Sequence, residues 1–167
     1  MKKAKPRIEK NFDARKFKAL EDRLTELARK HVVVGIPASR NTTSERSGSL
    51  AEIAATHEFG SRNGDIPERA PLRSSMVKNQ AKYIKLNESN FRDVLNGKIS
   101  ADQAMNMLGM AAATDVQATI AEGSFTPLKP ETIQRKGSSK PLIDTGQLRQ
   151  SITYEVRSSQ VKGEKDD

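Results

Sequence analysis

The sequence predicts an α+β fold, in which several helices, two of them long and joined as a hairpin, pack on a small antiparallel β-sheet. Three observations lead to this prediction. Apolar residues recur at helical spacing in three long stretches. Two short stretches rich in β-branched or alternating apolar residues, one in each half of the chain, are typical of strands. Gly and Pro residues separate these stretches, and the 167 residues suffice for one ordinary domain.

A flexible basic N-terminus is predicted for residues 1–10. A single domain is predicted over 11–157. Apolar residues at three- to five-residue steps predict an amphipathic helix over 11–30. The run Val32-Val33-Val34 then predicts a strand over 31–37. A mobile loop is expected at 38–48, because this stretch has no large apolar side chain.

The middle of the chain contains the clearest helix signals. Ser49 and Glu52 form a capping-box pattern that opens a helix at Leu50, and Gly60 suits its end. A second mobile loop is expected near 61–70.

Two long helices follow this loop. Pro71 suits the first turn of one that runs to Gly97. Ser100 and Gln103 repeat the capping-box pattern and open the other, which ends at Gly123. The short connection between the two helices predicts an antiparallel hairpin.

The last third of the chain is predicted to be irregular over 124–141, apart from one helical turn at 131–136. Asp144 is predicted to cap a short helix over 145–150. Alternation of apolar and polar residues predicts a strand over 151–157, which pairs with the strand at 31–37, and a polar tail over 158–167. Because two strands alone are marginally stable, further strands are expected from the loops or from neighbouring subunits.

Composition limits the kinds of function that are open to the chain. Only 35% of the residues are hydrophobic, which is lean for a self-sufficient core and favours burial against partner subunits. The absence of cysteine excludes disulfides and cysteine-based metal sites. The sequence contains neither a signal peptide nor an apolar run of membrane-spanning length, so the protein is expected in the cytoplasm.

The net charge of +8 is concentrated near the N-terminus. Five basic residues of the first ten are candidates for contact with DNA phosphates or with an acidic partner: Lys2, Lys3, Lys5, Arg7 and Lys10. A basic nucleic-acid-binding protein is therefore one functional hypothesis. The other interpretation is a solvated helix face that carries no function.

Two short motifs superficially suggest catalysis. His57-Glu58 is similar to the start of a zinc-protease motif, but that motif needs a second histidine four residues on, where this chain has Ser61. His57 is instead expected at a helix end, where its positive form suits the helix dipole. Neither a metal nor a cofactor is expected.

The triplet Asp144-Thr145-Gly146 resembles the active-site turn of aspartic proteases, which need two such turns in an all-β framework. The helical surroundings argue against that function. Asp144 is expected to accept backbone N–H bonds at a helix start, and no catalytic residue is predicted.

Taken together, the motifs carry a family resemblance. Ile53-Ala54-x-x-His57-Glu58-Phe59-Gly60, a loop and Ile66-Pro67-x-Arg69-x-Pro71-Leu72-Arg73 form one half, and Pro141-Leu142-Ile143-Asp144-Thr145-Gly146-Gln147-Leu148-Arg149-x-Ser151-Ile152 forms the other. The combination resembles the tail-completion, neck and virion-morphogenesis proteins of tailed bacteriophages and prophages. The resemblance runs from about Val32 to Val156. One departure is that residues 158–167 are polar, where several family members continue into another strand.

The resemblance implies a non-enzymatic virion protein, assembled in the cytoplasm of the bacterial host. It implies a six-fold or twelve-fold homo-oligomeric ring at the neck or the top of the tail, which completes the tail and joins it to the head. Neighbours would be connector, tail-terminator or tail-tube proteins, with non-specific contact to DNA in the lumen and none to a membrane. The shared residues, interpreted as fold and ring contacts, are His57, Phe59, Gly60, Pro67, Arg69, Pro71, Leu72, Leu142, Asp144, Thr145, Gly146, Leu148, Arg149 and Ser151.

Overall fold

The computed structural model describes residues 13–44, 48–137, 139–142 and 146–159 and confirms the α+β class. Its helices are α1 (Ala14–Arg29), α2 (Leu50–Phe59), α3 (Pro71–Leu95), α4 (Ala101–Glu122), α5 (Pro130–Lys136) and α6 (Gln147–Ser151). Its strands are β1 (Lys30–Gly35), β2 (Thr43–Ser44), β3 (Gly48–Ser49) and β4 (Thr153–Ser158). As predicted, the two long helices α3 and α4 pack against each other.

The main sheet consists of β1 and β4, which pair antiparallel from Lys30 opposite Ser158 to Gly35 opposite Thr153. The helix α4 packs on both strands. The strand β4 begins two residues later than predicted, because Ser151 still belongs to α6 and Ile152 is the C-cap of that helix. The pairing of the two predicted strands is confirmed.

The apolar core is divided between two clusters. The first core cluster is built from Leu27, Val94, Ala101, Ala104 and Met105. The second core cluster is built from Val116, Ile120, Leu142, Leu148 and Ile152. Because α4 supplies residues to both, this one helix connects the two halves of the molecule.

Small residues let α4 lie close to the sheet. Gly109 sits against the ring of Tyr154 in β4, and a Cβ atom at this position would lie 2.6 Å from Cγ of that ring. The hydroxyl of Tyr154 donates a hydrogen bond of 3.0 Å to Oδ1 of Asn106, one helical turn away. The glycine therefore makes room for the tyrosine.

The stretch 38–48, predicted to be a mobile loop, contains regular structure among its described residues. Ala38–Arg40 form a 3-10 helix, and β2 pairs antiparallel with β3. Polar groups of the stretch satisfy the start of α2, because Leu50 N donates to Thr42 O (3.0 Å) and Ala51 N donates to Asn41 Oδ1 (2.9 Å). Polar side chains and carbonyls of this stretch thus serve as caps for α2.

The predicted starts of α2 and α4 are confirmed, including both capping boxes, Ser49 with Glu52 and Ser100 with Gln103. The predicted start of α6 at residue 145 is wrong. The helix begins at Gln147, and its N-cap is Gly146, whose φ of 78° is left-handed and lies outside the helix. Residues 143–145 lie outside the described part of the chain, and with them the predicted cap, Asp144.

Candidate functional site

The first motif forms a corner between α2 and α3, and Glu58 lies at its centre. Glu58 is only 7% exposed. Its Oε2 accepts a hydrogen bond from Leu72 N (2.9 Å) and its Oε1 accepts one from Arg73 N (3.0 Å). These are N–H groups of the first turn of α3, where an α-helix has no internal acceptors and its dipole favours negative charge. Glu58 therefore caps α3 from outside the helix.

This external cap compensates for a residue that cannot cap. The N-cap of α3 is Ala70, which has no polar side chain and adopts a left-handed φ of 43°. Arg73 strengthens the link, because its Nη2 donates to Glu58 O at 3.2 Å and its Nε lies 3.7 Å from Glu58 Oε1. Both carboxylate oxygens of Glu58 are thus occupied by the fold itself.

The loop between the two helices folds back on the end of α2. Gly60 is the C-cap of α2 with a φ of 78°, and a Cβ atom there would lie 3.2 Å from both Ile66 O and Glu68 N. Ser61 N donates to Ile66 O (2.9 Å), and Ile66 N donates to Ser61 Oγ (2.8 Å). The loop predicted to be mobile near 61–70 is therefore anchored at both ends by the motif residues.

His57 and Arg69 close the corner. The His57 carbonyl accepts hydrogen bonds from Arg69 N (2.9 Å) and Ala70 N (3.1 Å). Arg69 Nη1 lies 3.4 Å from His57 Nδ1. Because a guanidinium can only donate, a hydrogen bond between these two side chains requires an unprotonated Nδ1. His57 lies in the last turn of α2, at the helix end predicted from the sequence.

Arg69 also holds a third segment of the chain. Its guanidinium is buried, with 7% of the residue exposed, and its Nε donates to Thr126 O at 3.1 Å. Burial lowers the pKa of Arg69 below its ordinary value. The side chain thus connects the segment after α4 to the end of α2.

The second motif meets the first in the second core cluster. Leu148, 8% exposed, and Ile152, 2% exposed, belong to this cluster, and Ala54 and Leu72 of the first motif pack against it. Gln117 Nε2 of α4 donates to Ile152 O at 2.8 Å. Two sequence motifs separated by about half the chain are therefore in contact. The corner between α2 and α3, together with Leu148 and Ile152, is called the joint below.

The remaining predicted site residues range from buried to exposed. Pro71 is buried at the first position of α3, Pro67 and Ser151 are half-buried, and Arg149 is exposed. Phe59 is 72% exposed and lies beside the joint, not in it. Leu142 is buried in the second core cluster. The predicted residues that lie outside the described part of the chain are Lys2, Lys3, Lys5, Arg7, Lys10, Asp144 and Thr145.

Glu58, the residue on which the corner depends, was not predicted as a site residue. In the sequence it stood out as the second half of a possible zinc motif and as a member of the first family motif. One signal could have identified it: the helix that starts at Pro71 is preceded by Ala70, so its first N–H groups need an acceptor from elsewhere. Arg73 and Thr126 were missed because their contacts are long-range.

A groove of about 540 Å³ lies beside the joint, between α3, the end of α4 and residues 123–126. Arg69, Lys78, Asp115 and Glu122 all contribute to its lining. The Asp115 carboxylate is neutralised by Lys82, whose Nζ lies 2.7 Å from Oδ1. The groove therefore has charges of both signs along its wall.

Tyr83 lies beneath this region on α3. Burial, and to a smaller extent the neighbouring Asp115, raise its pKa to about 12. The Tyr83 hydroxyl and the Ser75 hydroxyl are buried without hydrogen bonds of normal geometry. Burial keeps the phenol neutral, and neither hydroxyl is hydrogen-bonded to a histidine as a nucleophile–base pair would be.

The described residues contain no group of three or more His, Cys, Asp or Glu side chains arranged to hold a metal ion. None of the helices in the same part of the chain is long and apolar enough to cross a membrane. Comparison with family models, with curated proteins and with solved structures finds no match for this chain.

Proposed function

We propose that this chain is a structural subunit of a tailed phage or prophage particle. It forms a homo-oligomeric ring at the neck or the top of the tail, which completes the tail and allows the head to join it. The proposal starts from the pair of motifs, whose order and spacing resemble the tail-completion and neck proteins.

The observation that carries the proposal is the joint itself. The Glu58 carboxylate is bound to the N–H groups of Leu72 and Arg73, and the leucine and isoleucine of the second motif pack beside it. Several described motif residues, among them Glu58, Arg69 and Leu148, hold elements of the fold together. This use supports a non-enzymatic, architectural role.

The surface supports a role in assembly. Large apolar side chains are exposed on several elements, among them Phe17, Phe59, Val77, Ile84 and Met110. The sheet of β1 and β4 has no third strand among the described residues, so each of its outer edges can accept hydrogen bonds from another chain. These features would suit a subunit whose exposed apolar side chains and sheet edges become buried against neighbouring subunits in a ring.

Removal of the protein from the particle tests the proposal directly. The gene is deleted from the phage or prophage that encodes it, and the particles are viewed by electron microscopy after induction. We expect separate heads and tails, and joined virions again when the wild-type gene is supplied in trans. Normal joined virions without the protein would overturn the proposal.

A second experiment separates this function from nucleic-acid binding, which the net charge of +8 favours. The isolated protein is titrated with a fluorescent DNA duplex at several salt concentrations. The structural proposal predicts weak, sequence-independent binding. Tight, sequence-specific binding together with normal virions in the deletion would support the nucleic-acid-binding function instead.

A further inference from the structure

We propose that the outer face of α3 is a docking surface for an acidic amphipathic helix of another protein. The outer α3 face is defined by an apolar row, Val77, Ile84 and Phe91, and a basic row, Lys78, Lys85 and Arg92. The inference stands on the geometry of α3 and does not depend on the proposed function.

The apolar row repeats once in every heptad, which is the spacing of one of the two positions that form a coiled-coil seam. Its members are seven residues apart, and the row spans about 21 Å at the rise of an α-helix. Val77 is 70% exposed, Ile84 51% and Phe91 38%. The buried Ser75 and Asn90 lie on the other side of the same helix, and the buried Val94 borders the row one turn after Phe91. The helix therefore has one buried face for its own fold and a second, unfilled seam.

The basic row follows the apolar row along its whole length. Lys78, Lys85 and Arg92 each come directly after an apolar member, which is the flanking position that sets partner choice in a coiled coil. All three are exposed, and none forms an ion pair with the described residues. Lys82 of the same helix, by contrast, is bound to Asp115 of α4. Three unpaired cations beside an apolar seam are complementary to a helix with acidic flanks.

A second copy of this chain is a poor occupant of the same face. In an antiparallel pair of α3 helices the basic rows would face each other, with Lys85 opposite Lys85 of the second copy. In a parallel pair Glu88, which lies in the seam between Ile84 and Phe91, would meet its own copy. Like charges in these positions are destabilising, so a different chain with acidic flanks fits better.

Binding of designed peptides to the full-length protein tests the inference. One labelled 21-residue helical peptide has Leu at the a and d positions and Glu at the flanking e and g positions. Its matched control has Lys at the e and g positions. In fluorescence anisotropy we expect the acidic peptide to bind at least ten-fold more tightly than the basic one. Added salt should reduce that difference.

Variants of the face give the decisive result. Ile84→Asp should abolish binding of the acidic peptide, whereas Met110→Asp, at an equally exposed position on α4, should leave it unchanged. Reversal of the basic row in the triple variant Lys78→Glu, Lys85→Glu and Arg92→Glu should reverse the peptide preference. All these side chains are exposed, so circular dichroism should show the wild-type fold and melting temperature.

Three outcomes would overturn the inference. The first is an unchanged peptide preference in the triple variant. The second is self-association in sedimentation experiments that Ile84→Asp abolishes, which would identify a second copy as the occupant. The third is binding to vesicles of anionic lipid that requires Ile84, without discrimination between the two peptides, which would identify a membrane surface.

Discussion

Oε2 of Glu58 lies 2.9 Å from the backbone nitrogen of Leu72, fourteen residues further along the chain. This hydrogen bond, with its neighbour to Arg73, joins the end of α2 to the start of α3. It explains why a carboxylate is buried in a region that shows no metal cluster among the described residues. It also allows the role of the first motif to be tested by stability alone.

We expect Glu58→Ala to lower the free energy of unfolding by about 1–3 kcal/mol, because two partly buried N–H groups lose their acceptor. Glu58→Gln should lower the free energy of unfolding by less, because the amide carbonyl oxygen of glutamine can still accept one hydrogen bond. Urea denaturation followed by circular dichroism measures both. Glu88→Ala is the control, because Glu88 is exposed on α3. Equal effects of Glu58→Ala and Glu88→Ala would contradict a capping role for Glu58.

The close contact of Gly109 with Tyr154 gives a second prediction. Gly109→Ala should destabilise the protein by about 1–3 kcal/mol, because the added Cβ would enter the tyrosine ring. The clash should outweigh the better helix propensity of alanine, which is worth about 1 kcal/mol. Thermal unfolding measures the net effect.

The matched control for this change is Gly35→Ala, since a Cβ at Gly35 would meet nothing within 4 Å. That variant should be as stable as the wild type or slightly more stable. A stabilised Gly109→Ala protein would show that α4 and β4 can separate without cost.

The raised pKa of Tyr83 predicts that the protein loses stability in alkaline solution. Its pKa is raised to about 12 in the folded protein, whereas an unfolded tyrosine ionises near its ordinary value of 10.0. Below pH 10 both states keep the proton, so the stabilisation is fully present. Between pH 10 and 12 only the unfolded chain loses the proton, and stability should therefore fall as the pH rises.

Melting temperatures of the wild type and of Tyr83→Phe over this range measure the effect, because the difference between them isolates the phenol from the lysines. Absorbance at 295 nm in a Tyr154→Phe background, where Tyr83 is the remaining tyrosine, gives its pKa directly. A midpoint near 10 would show that the hydroxyl is accessible to water.

The capping box at the start of α4 gives the fourth prediction. Ser100 Oγ accepts a hydrogen bond from Gln103 N at 3.1 Å, and Ser100 N donates to Gln103 Oε1 at 2.8 Å. Ser100→Ala should lower the free energy of unfolding by about 1 kcal/mol. Ser100→Asp keeps an acceptor at the helix start and should restore most of the loss. If both substitutions have the same effect in urea denaturation, the side-chain cap contributes nothing.

Local signals explain which elements were predictable. The ends of α3 and α4 were found because Pro71, Ser100 and Gly123 act on residues within one turn of themselves. The pairing of β1 with β4 was found because few other stretches have strand patterns. The start of α6 was missed, because Asp144 and Gly146, two residues apart, both suit a helix start, and nothing local decides between them.

Long-range contacts explain what could not be predicted at the joint. Ala70 before Pro71 indicates that the first N–H groups of α3 need an acceptor, but nothing in the sequence identifies Glu58 as that acceptor. Nor does the sequence show that Arg69 reaches Thr126 or that Gly109 makes room for a tyrosine. Each depends on how the chain folds in space, and each links residues that are far apart in the sequence. The capping of α2 by the polar stretch after β1 was not predicted for a related reason, since its acceptors reach residues eight and ten positions further along the chain.

The pairing of β1 with β4 also sets an order of events during synthesis. Lys30 must wait for Ser158 before the sheet can form, so this contact closes only after residue 158 has been made. The hairpin of α3 and α4 involves neighbouring segments and can form earlier on the ribosome. Ile152 and Val156 complete the two core clusters and follow all their other members in the sequence. A nascent chain thus exposes the inner surface of α4 until these residues have been made, and a fragment that ends before residue 152 would lack both of them.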